Sequence, residues 1–327
     1  MKDIRKRLIK NVKRVVVKVG SALAASSPKR GGTIYTRLAN EVSSIRKRGI
    51  DAVVVSSGAI ALGMKRLGLK DRPSSIPEKQ AVAAAGQGSL VALYDRAFAR
   101  YGLKAAQVLL THDDLADRRR FLNARNTLTA LLRFGIVPVI NENDTVAVDE
   151  IKFGDNDELS ALVTNLIEAD LLIILTDIDG LYTGDPNINP SAKRISLVED
   201  VDTLKMDTIG GAGSMGTGGM RSKCSAAGKA AHYGAATVIA NGFADGIIHK
   251  IFSAEDVGTI FAPREDRLTS RKHWIAFSTR PVGAIRVDDG AKDALLNKGK
   301  SLLPSGVKDV EGAFEAGEAR DALSRQP

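Results

Sequence analysis

The chain has 327 residues, of which 44% are hydrophobic and 26% charged, with a formal net charge of +9. At about 100–200 residues per domain this allows two domains with ordinary cores and excludes a disordered polar chain. No apolar run approaches the roughly 18–20 residues that cross a bilayer, so no membrane partner is expected. The lone cysteine, Cys224, excludes an intrachain disulfide and fits a cytoplasmic setting.

In chain order, "MKDIRKRLIKNVKR" carries seven Lys/Arg in fourteen residues and no signal core follows it. It reads as a solvated helix or an arm, with nucleic-acid contact as the alternative. "RVVVKVG" (14–20) reads as a buried strand, and Ile34, Leu38, Val42 and Ile45 mark one face of a helix. "DAVVVSSG" (51–58) is a second strand, 79–102 is largely helical, "KAAQVLL" (104–110) is a third strand, and 121–135 is a helix with Gly135 at its C-terminus. "IVPVINEND" (136–144) is a strand running into a polar loop. Residues 155–169 show an amphipathic pattern, with Leu159, Leu162, Val163, Leu166 and Ile167 on one side. "DLLIILTD" (170–177) is the most apolar strand; a helix then runs to about Gly234, and "AATVIAN" (235–241) follows. Continuous apolar strands between helices imply an α/β fold, a mainly parallel sheet covered on both faces in three layers. A boundary is expected near 265–280.

In such sheets ligands bind beyond the carboxyl ends of the strands. Polar residues gather there: Lys18 to Ser21, Ser56 to Gly58, Asn141 to Asp144, and Thr176 with Asp177. Loops are polar in general, but that does not explain a lysine inside an apolar strand. The stretch "GGAGSMGTGGMRSK" (210–223) opens a helix on which Met220, Cys224, Ala227 and Ala231 share a face. It lacks P-loop spacing, because Met220, Arg221 and Ser222 separate Gly219 from Lys223. A phosphate cradle and a packing turn both remain open on the loop alone. Cys224 reads as a core residue rather than a nucleophile. None of the four histidines has metal-ligand spacing with another, so no protein metal site is expected.

"VVVKVGS", "VVVSSGAIALG", "RRRFLNARNTLTALL", "VPVINENDTVAVDEIKFGDNDELSA", "ILTDIDGLYTGDP" and "GTGGMRSK" together resemble the amino-acid kinase family, over roughly residues 12 to 262. The branch that phosphorylates glutamate fits best. An acetylglutamate branch would place a paired-glycine loop where Ser56-Ser57-Gly58 stands, and an aspartate branch would carry regulatory ACT domains after the core. The resemblance implies a catalytic domain over 1–265 with the amino-acid kinase fold. It also implies phosphorylation of the γ-carboxylate of glutamate, at the entry to proline biosynthesis, by ATP with Mg2+. Another carboxylate or carbamate substrate, or a relative that kept the fold and lost catalysis, are the alternatives; the presence of Lys18, Lys223 and Asp155 to Asp157 argues against the last.

The resemblance further implies that Lys18 and Lys223 stabilise the moving phosphoryl and that Asp157 orients them. Ser57, Gly58, Asp144, Asp155 and Asn156 would hold the amino acid. Thr176, Asp177, Thr217, Gly218, Gly219, Met220, Arg221 and Ser222, with the two lysines, would hold ATP, and Tyr182 and Pro186 would shape the adenine side. A plain structural account stands beside this one: Asp155 with Glu158 has capping-box spacing, and Asp144 suits a turn. Proline is the implied feedback inhibitor, and a homo-oligomer, dimer or tetramer, the implied assembly. After a linker at 266–279, residues 280–327 resemble the start of a PUA domain, too short for the usual barrel. RNA is therefore not an expected partner despite the positive charge.

Overall fold

The computed structural model describes residues 2–26, 32–147, 156–186, 188–204, 219–264, 283–312 and 321–324. Asp155, Thr217, Gly218, most of the glycine-rich stretch and the expected linker at 266–279 lie outside the described residues. The chain divides into two compact units, residues 1–270 and 271–327.

In the first unit the elements run α1 (Lys2–Lys10), β1 (Arg14–Val19), α2 (Ser21–Ala24), α3 (Ile34–Lys47), β2 (Asp51–Ser56), α4 (Ala59–Leu67), α5 (Ile76–Ala99), β3 (Ala105–Leu110), α6 (His112–Ala116), α7 (Arg118–Arg133) and β4 (Val137–Glu142). They continue with α8 (Asn156–Leu166), β5 (Leu171–Thr176), β6 (Leu197–Val198), α9 (Met220–His232), β7 (Ala236–Asn241), α10 (Ile247–Phe252) and β8 (Thr259–Phe261). The strands form one eight-stranded sheet in the order β3-β4-β2-β1-β5-β7-β8-β6. All neighbours pair in parallel except β7 and β8, which are antiparallel. Parallel neighbours need crossovers, and the helices between the strands supply them.

Strand alternation divides the core into two layers. Val15, Val17, Val19, Ala52, Val54, Leu171, Ile173 and Leu175 join Leu38, Val42, Leu90, Tyr94, Phe98, Ile248 and Ile251 in one cluster, so α3, α5 and α10 cover that face. The alternate residues Val16, Lys18, Val53, Val55, Leu172 and Ile174 are buried as well and face the other way. Helices α8 and α9 pack together beneath that second face. A side chain at position 18 thus points into a helix layer, and its charge must be met there.

Helix starts follow their local chemistry. Thr33 caps α3 by accepting from Thr36 N at 3.3 Å, and Ser75 with Glu78 forms a capping box on α5. Asp117 caps α7 through Arg120 N at 2.8 Å. That helix ends at Arg133, and Gly135 follows it at φ 74°, as a helix terminus favours.

Two expectations change, and the structure adds two strands that the sequence reading did not propose. Helix α8 carries its apolar stripe, but every residue except Glu158 is buried, because it lies between the sheet and α9; it is a core helix rather than an amphipathic surface one. The short strands β6 and β8 extend the sheet beyond β7, where three-residue and two-residue apolar runs give little periodic signal. The basic N-terminal stretch does form a helix, but Arg5 on it is 2% exposed, so part of its charge is structural.

In the second unit, β9 (Ala284–Val287) is flanked by antiparallel β10 (Val307–Glu311) and parallel β11 (Asp321–Ser324), with α11 (Asp289–Leu296) after β9. Asp288 caps that helix through Ala291 N at 2.7 Å.

Helices α4 and α5 cross at backbone contact. A Cβ on Gly86 would lie 1.9 Å from the Ala59 carbonyl oxygen and 2.5 Å from Gly63 N, whereas one on Gly88 would meet nothing within 4 Å. Gly86→Ala is therefore expected to cost about 3 kcal/mol or more. Gly88→Ala, two residues along the same helix, is expected to stabilise by about 0.5–1 kcal/mol. Urea unfolding of the two variants checks the contrast.

Candidate active site

The carboxyl ends of β4, β2, β1 and β5 lie side by side in the sheet, although they are far apart in the chain. Lys18 is the fifth residue of β1 and sits between Val55 and Ile174 in register. Its ammonium pairs with Asp157 Oδ1, and Lys223 Nζ lies 3.1 Å from Oδ2 of the same carboxylate. Ser222 Oγ donates to Oδ2 at 3.0 Å. Asp157 is fully buried, Lys18 is 3% exposed and Lys223 6%. Burying one charge against another costs several kcal/mol per ion in desolvation, which only good geometry and added hydrogen bonds repay. Both carboxylate oxygens here have partners, yet two ammonium groups face a single carboxylate. Among the described residues, two ammonium groups thus meet at this one carboxylate beside the strand ends.

Helix geometry places the trio. Asp157 is in the first turn of α8, where an acidic side chain suits the helix dipole. Ser222 and Lys223 are in the first turn of α9, whose N-cap, Gly219, makes no side-chain cap. First-turn N–H groups without a side-chain cap are the kind of donor that binds phosphate. Met220 is buried and Arg221 exposed on this turn. Cys224, one residue on, is 1% exposed, and burial pushes its thiol up to about 11, which leaves it an inert core residue.

A second cluster adjoins the first through Asn156. Its Nδ2 donates to Asn141 Oδ1 at 2.8 Å, to the Ser56 carbonyl at 3.0 Å and to Ser57 Oγ at 3.1 Å. This orientation commits the amide nitrogen to the protein and leaves Oδ1 as the acceptor end. Asn141 Nδ2 donates in turn to Gln87 Oε1 at 2.8 Å, and Tyr94 Oη to Ser56 Oγ at 2.8 Å. Gly58 follows at φ 115°, and a Cβ there would lie 2.7 Å from the Ala24 Cβ, so only glycine lets the loop pass the end of α2.

The structure thus brings together Lys18, Asp157, Ser222 and Lys223, and beside them Asn156, Ser57 and Gly58. Asp144 lies half-buried in the turn after β4, and Gln80 ties that turn down by donating to the Ala147 carbonyl at 3.2 Å. Thr176 and Asp177 end β5 next to β1, with Thr176 Oγ1 donating to Asp177 Oδ1 at 3.0 Å. Sequence reasoning placed Ser56 among the strand-end polar residues without giving it a role, and did not single out Gln87 or Tyr94. Asn141, a polar residue within an apolar strand, carried the same signal as Lys18; Gln87 sits in an alanine-rich helix and carried none.

Among the described residues no group of three or more His, Cys, Asp or Glu could hold a metal ion, and the Asp157 carboxylate is engaged by two lysines. A divalent cation fits here as an ion carried by nucleotide phosphates rather than by a protein cage.

A buried pair of lysines around one carboxylate, a helix N-terminus opened by glycine and a parallel sheet with ligand groups at its strand ends define a phosphotransferase of α/β build. The model of the amino acid kinase family matches residues 13–241, and that of the PUA domain residues 283–319. The glutamate 5-kinase of Geobacter metallireducens is 54% identical over 316 residues, covering 96% of this chain and 85% of that protein; that of Thermoanaerobacter sp. is 48% identical over 315 residues, with the same coverage. Two solved structures share the fold at low identity. The UMP kinase of Bacillus anthracis superimposes with a TM-score of 0.51 at 17% identity, over 77% of this chain and 96% of its own. The aspartate kinase of Synechocystis does so with 0.52 at 18%, over 78% and 41%. The chain belongs to the amino acid kinase family and, within it, to the glutamate 5-kinases.

Removing the central carboxylate tests the electrostatic account. Asp157→Asn is expected to destabilise the protein by about 3–5 kcal/mol, because two buried ammonium groups lose their counter-charge. Asp157 lies inside α8 rather than at its N-cap, and losing its charge at the helix dipole costs only about 0.3–1 kcal/mol, so helix-end effects do not explain such a loss. Adding Lys18→Met should recover part of it. Urea unfolding of the single and double variants gives the coupling, and additive costs would count against the trio as a unit.

Proposed function

We propose that this protein transfers the γ-phosphoryl group of ATP to the γ-carboxylate of L-glutamate, forming L-glutamyl 5-phosphate and ADP, the first reaction of proline biosynthesis. The observation that carries this reading is the Asp157 carboxylate held between Lys18 and Lys223. A carboxylate oxygen of glutamate attacks the γ-phosphorus while the bond to the ADP oxygen breaks. The attacking group is already ionised at neutral pH, so no general base is needed. What the reaction needs is alignment of two anions and cations around the loose transition state.

Lys18 and Lys223 do the second task from opposite sides of Asp157. They come from β1 and α9, rigid elements, so their charges are in place before transfer and cost no reorganisation. Asp157 keeps the two ammonium groups apart and aimed, without itself touching the moving group. Gly219, Met220, Arg221 and Ser222, with Thr217 and Gly218, cradle the nucleotide phosphates, and Thr176 and Asp177 hold the nucleoside side. Mg2+ entering with the nucleotide would supply further neutralisation of the phosphate charge.

On the other side, Ser57, Gly58, Asn156 and Asp144, with Asp155, hold glutamate. The Oδ1 end of Asn156 suits the α-ammonium, because its Nδ2 is committed to Ser56, Ser57 and Asn141. Proline, a cyclised form of the same five-carbon skeleton, is the expected inhibitor at this subsite. A cytoplasmic homo-oligomer, dimer or tetramer, completes the proposal. The region 1–265 is its catalytic part, 266–279 a linker and 280–327 a partial PUA-like segment, with no role in RNA binding assigned.

Two kinetic outcomes separate these roles. Lys18→Ala and Lys223→Ala should each lower kcat by about 100-fold or more with little change in the KM for glutamate. Arginine should restore neither, since its planar fork replaces a compact charge. Asn156→Ala should instead raise the KM for glutamate. Trapping the acyl phosphate as its hydroxamate measures all of these, and a lysine variant changed only in KM would contradict the assignment.

Added proline should raise the apparent KM for glutamate and leave that for ATP unchanged. A flat response up to saturating proline would remove it as a competitor.

A further inference from the structure

The first helix reaches the β8–β6 edge of the sheet. Arg5, on α1, is 2% exposed. Its Nη1 donates to the Val257 carbonyl at 2.8 Å and the Glu255 carbonyl at 3.2 Å. Its Nη2 donates to the Ser196 carbonyl at 2.7 Å, the Gly258 carbonyl at 2.9 Å and Ser196 Oγ at 3.2 Å, and lies 3.2 Å from Asp256 Oδ1. A solvated helix does not need a guanidinium placed this way. Its cost in desolvation and side-chain order is met only because it ties four separate backbone carbonyls together.

What is tied is the base of one arm. Residues 181–186 and 188–195 follow β5 and fold back on themselves, with a Tyr182 to Arg194 antiparallel bridge and Ile195 N donating to the Leu181 carbonyl at 2.7 Å. The base of this arm rests on Thr259: Leu181 N donates to Thr259 Oγ1 at 2.8 Å, and that hydroxyl donates to the Ile195 carbonyl. Gly180 passes so close that a Cβ there would lie 2.6 Å from the same hydroxyl. Arg194, from the returning side, joins Arg5 on Asp256 at 3.1 Å and on the Gly258 carbonyl. Arg5 therefore holds Ser196 and Gly258, the residues immediately flanking Ile195 and Thr259.

We infer that Arg5 is a positioning residue for nucleotide binding: through Ser196, Gly258 and Thr259 it fixes the arm that begins at Thr176 and Asp177 and carries Tyr182 and Pro186. This rests on the reading above that these residues face ATP. Arg5 touches no reacting group, so its effect falls on the affinity for ATP and leaves phosphoryl transfer and glutamate alone. The N-terminal helix thereby becomes part of the nucleotide site, although it lies far before the arm in the chain.

The test is titration of ATP into the full chain by calorimetry, on the parent, Arg5→Met and Thr259→Val, at a temperature where circular dichroism shows each folded. Both variants are expected to raise the Kd and the KM for ATP by about tenfold, with kcat and the KM for glutamate within about twofold of the parent. A merely structural clamp would lower Tm and leave the ATP Kd of the folded protein unchanged, which would overturn the inference. So would a parallel rise in both KM values. If Arg5→Met does not fold, Thr259→Val decides: an unchanged ATP Kd overturns it. A parent that binds ATP but makes no acyl phosphate would sink the glutamate reading while the Kd comparison still judges Arg5. A parent that binds no ATP would sink both.

Discussion

The buried carboxylate of Asp157 is the constraint on which the site depends. A lysine at the fifth position of a central strand is untenable unless an anion meets it inside the protein. Asp157, on α8, meets Lys18 from β1 and Lys223 from α9, so one carboxylate joins the sheet to the starts of two helices. The ends of both helices, and the dipoles they carry, are thereby directed to one place. Two ammonium groups beside those helix starts suit an anionic occupant, and phosphoryl transfer is the reaction of the glutamate 5-kinases to which this chain belongs.

Around that centre the two halves of the site differ in how they are built. The side proposed for glutamate is a chain of amide and hydroxyl hydrogen bonds running from Gln87 through Asn141 and Asn156 to Ser56, Ser57 and Tyr94. It is closed and directional, as discrimination among small amino acids requires, because a wrong substrate leaves buried polar groups unpaired. The side proposed for ATP relies on strand ends, a helix N-terminus and a folded arm whose position is set at a distance by Arg5 and Thr259. Orientation of a large flexible ligand suits such an arrangement, since small displacements of a supporting arm change affinity without touching the transferred group.

The N-terminal helix shows how composition can mislead. Seven basic residues in fourteen suggest a solvated or nucleic-acid-binding face. One of them, Arg5, instead takes the most demanding structural position in the domain, paired with carbonyls of a loop some 250 residues later. Nothing in the local sequence distinguishes Arg5 from Arg7 or Lys6, since the difference lies entirely in what the fold brings against it.

Local pattern determined the alternation of β1, β2, β3, β4, β5 and β7 with their helices, because apolar runs and helical periodicity are written within ten to twenty residues. It also exposed Lys18, a lysine in an apolar strand that has no use for it unless function demands it, and placed Asn141 among the polar residues ending the fourth strand. Family resemblance in the ordered motifs supplied the chemistry proposed for Lys18. Tertiary structure alone decided the strand order that lays β4, β2, β1 and β5 side by side, the full burial of α8, and the short β6 and β8 at the sheet edge. It alone joined Asp157 to both lysines, Gln87 to Asn141 and Arg5 to Ser196. Each of these is a pairing across 50 residues or more, fixed by packing and by the need of buried polar groups for partners, and a linear pattern holds no record of which distant group will answer that need.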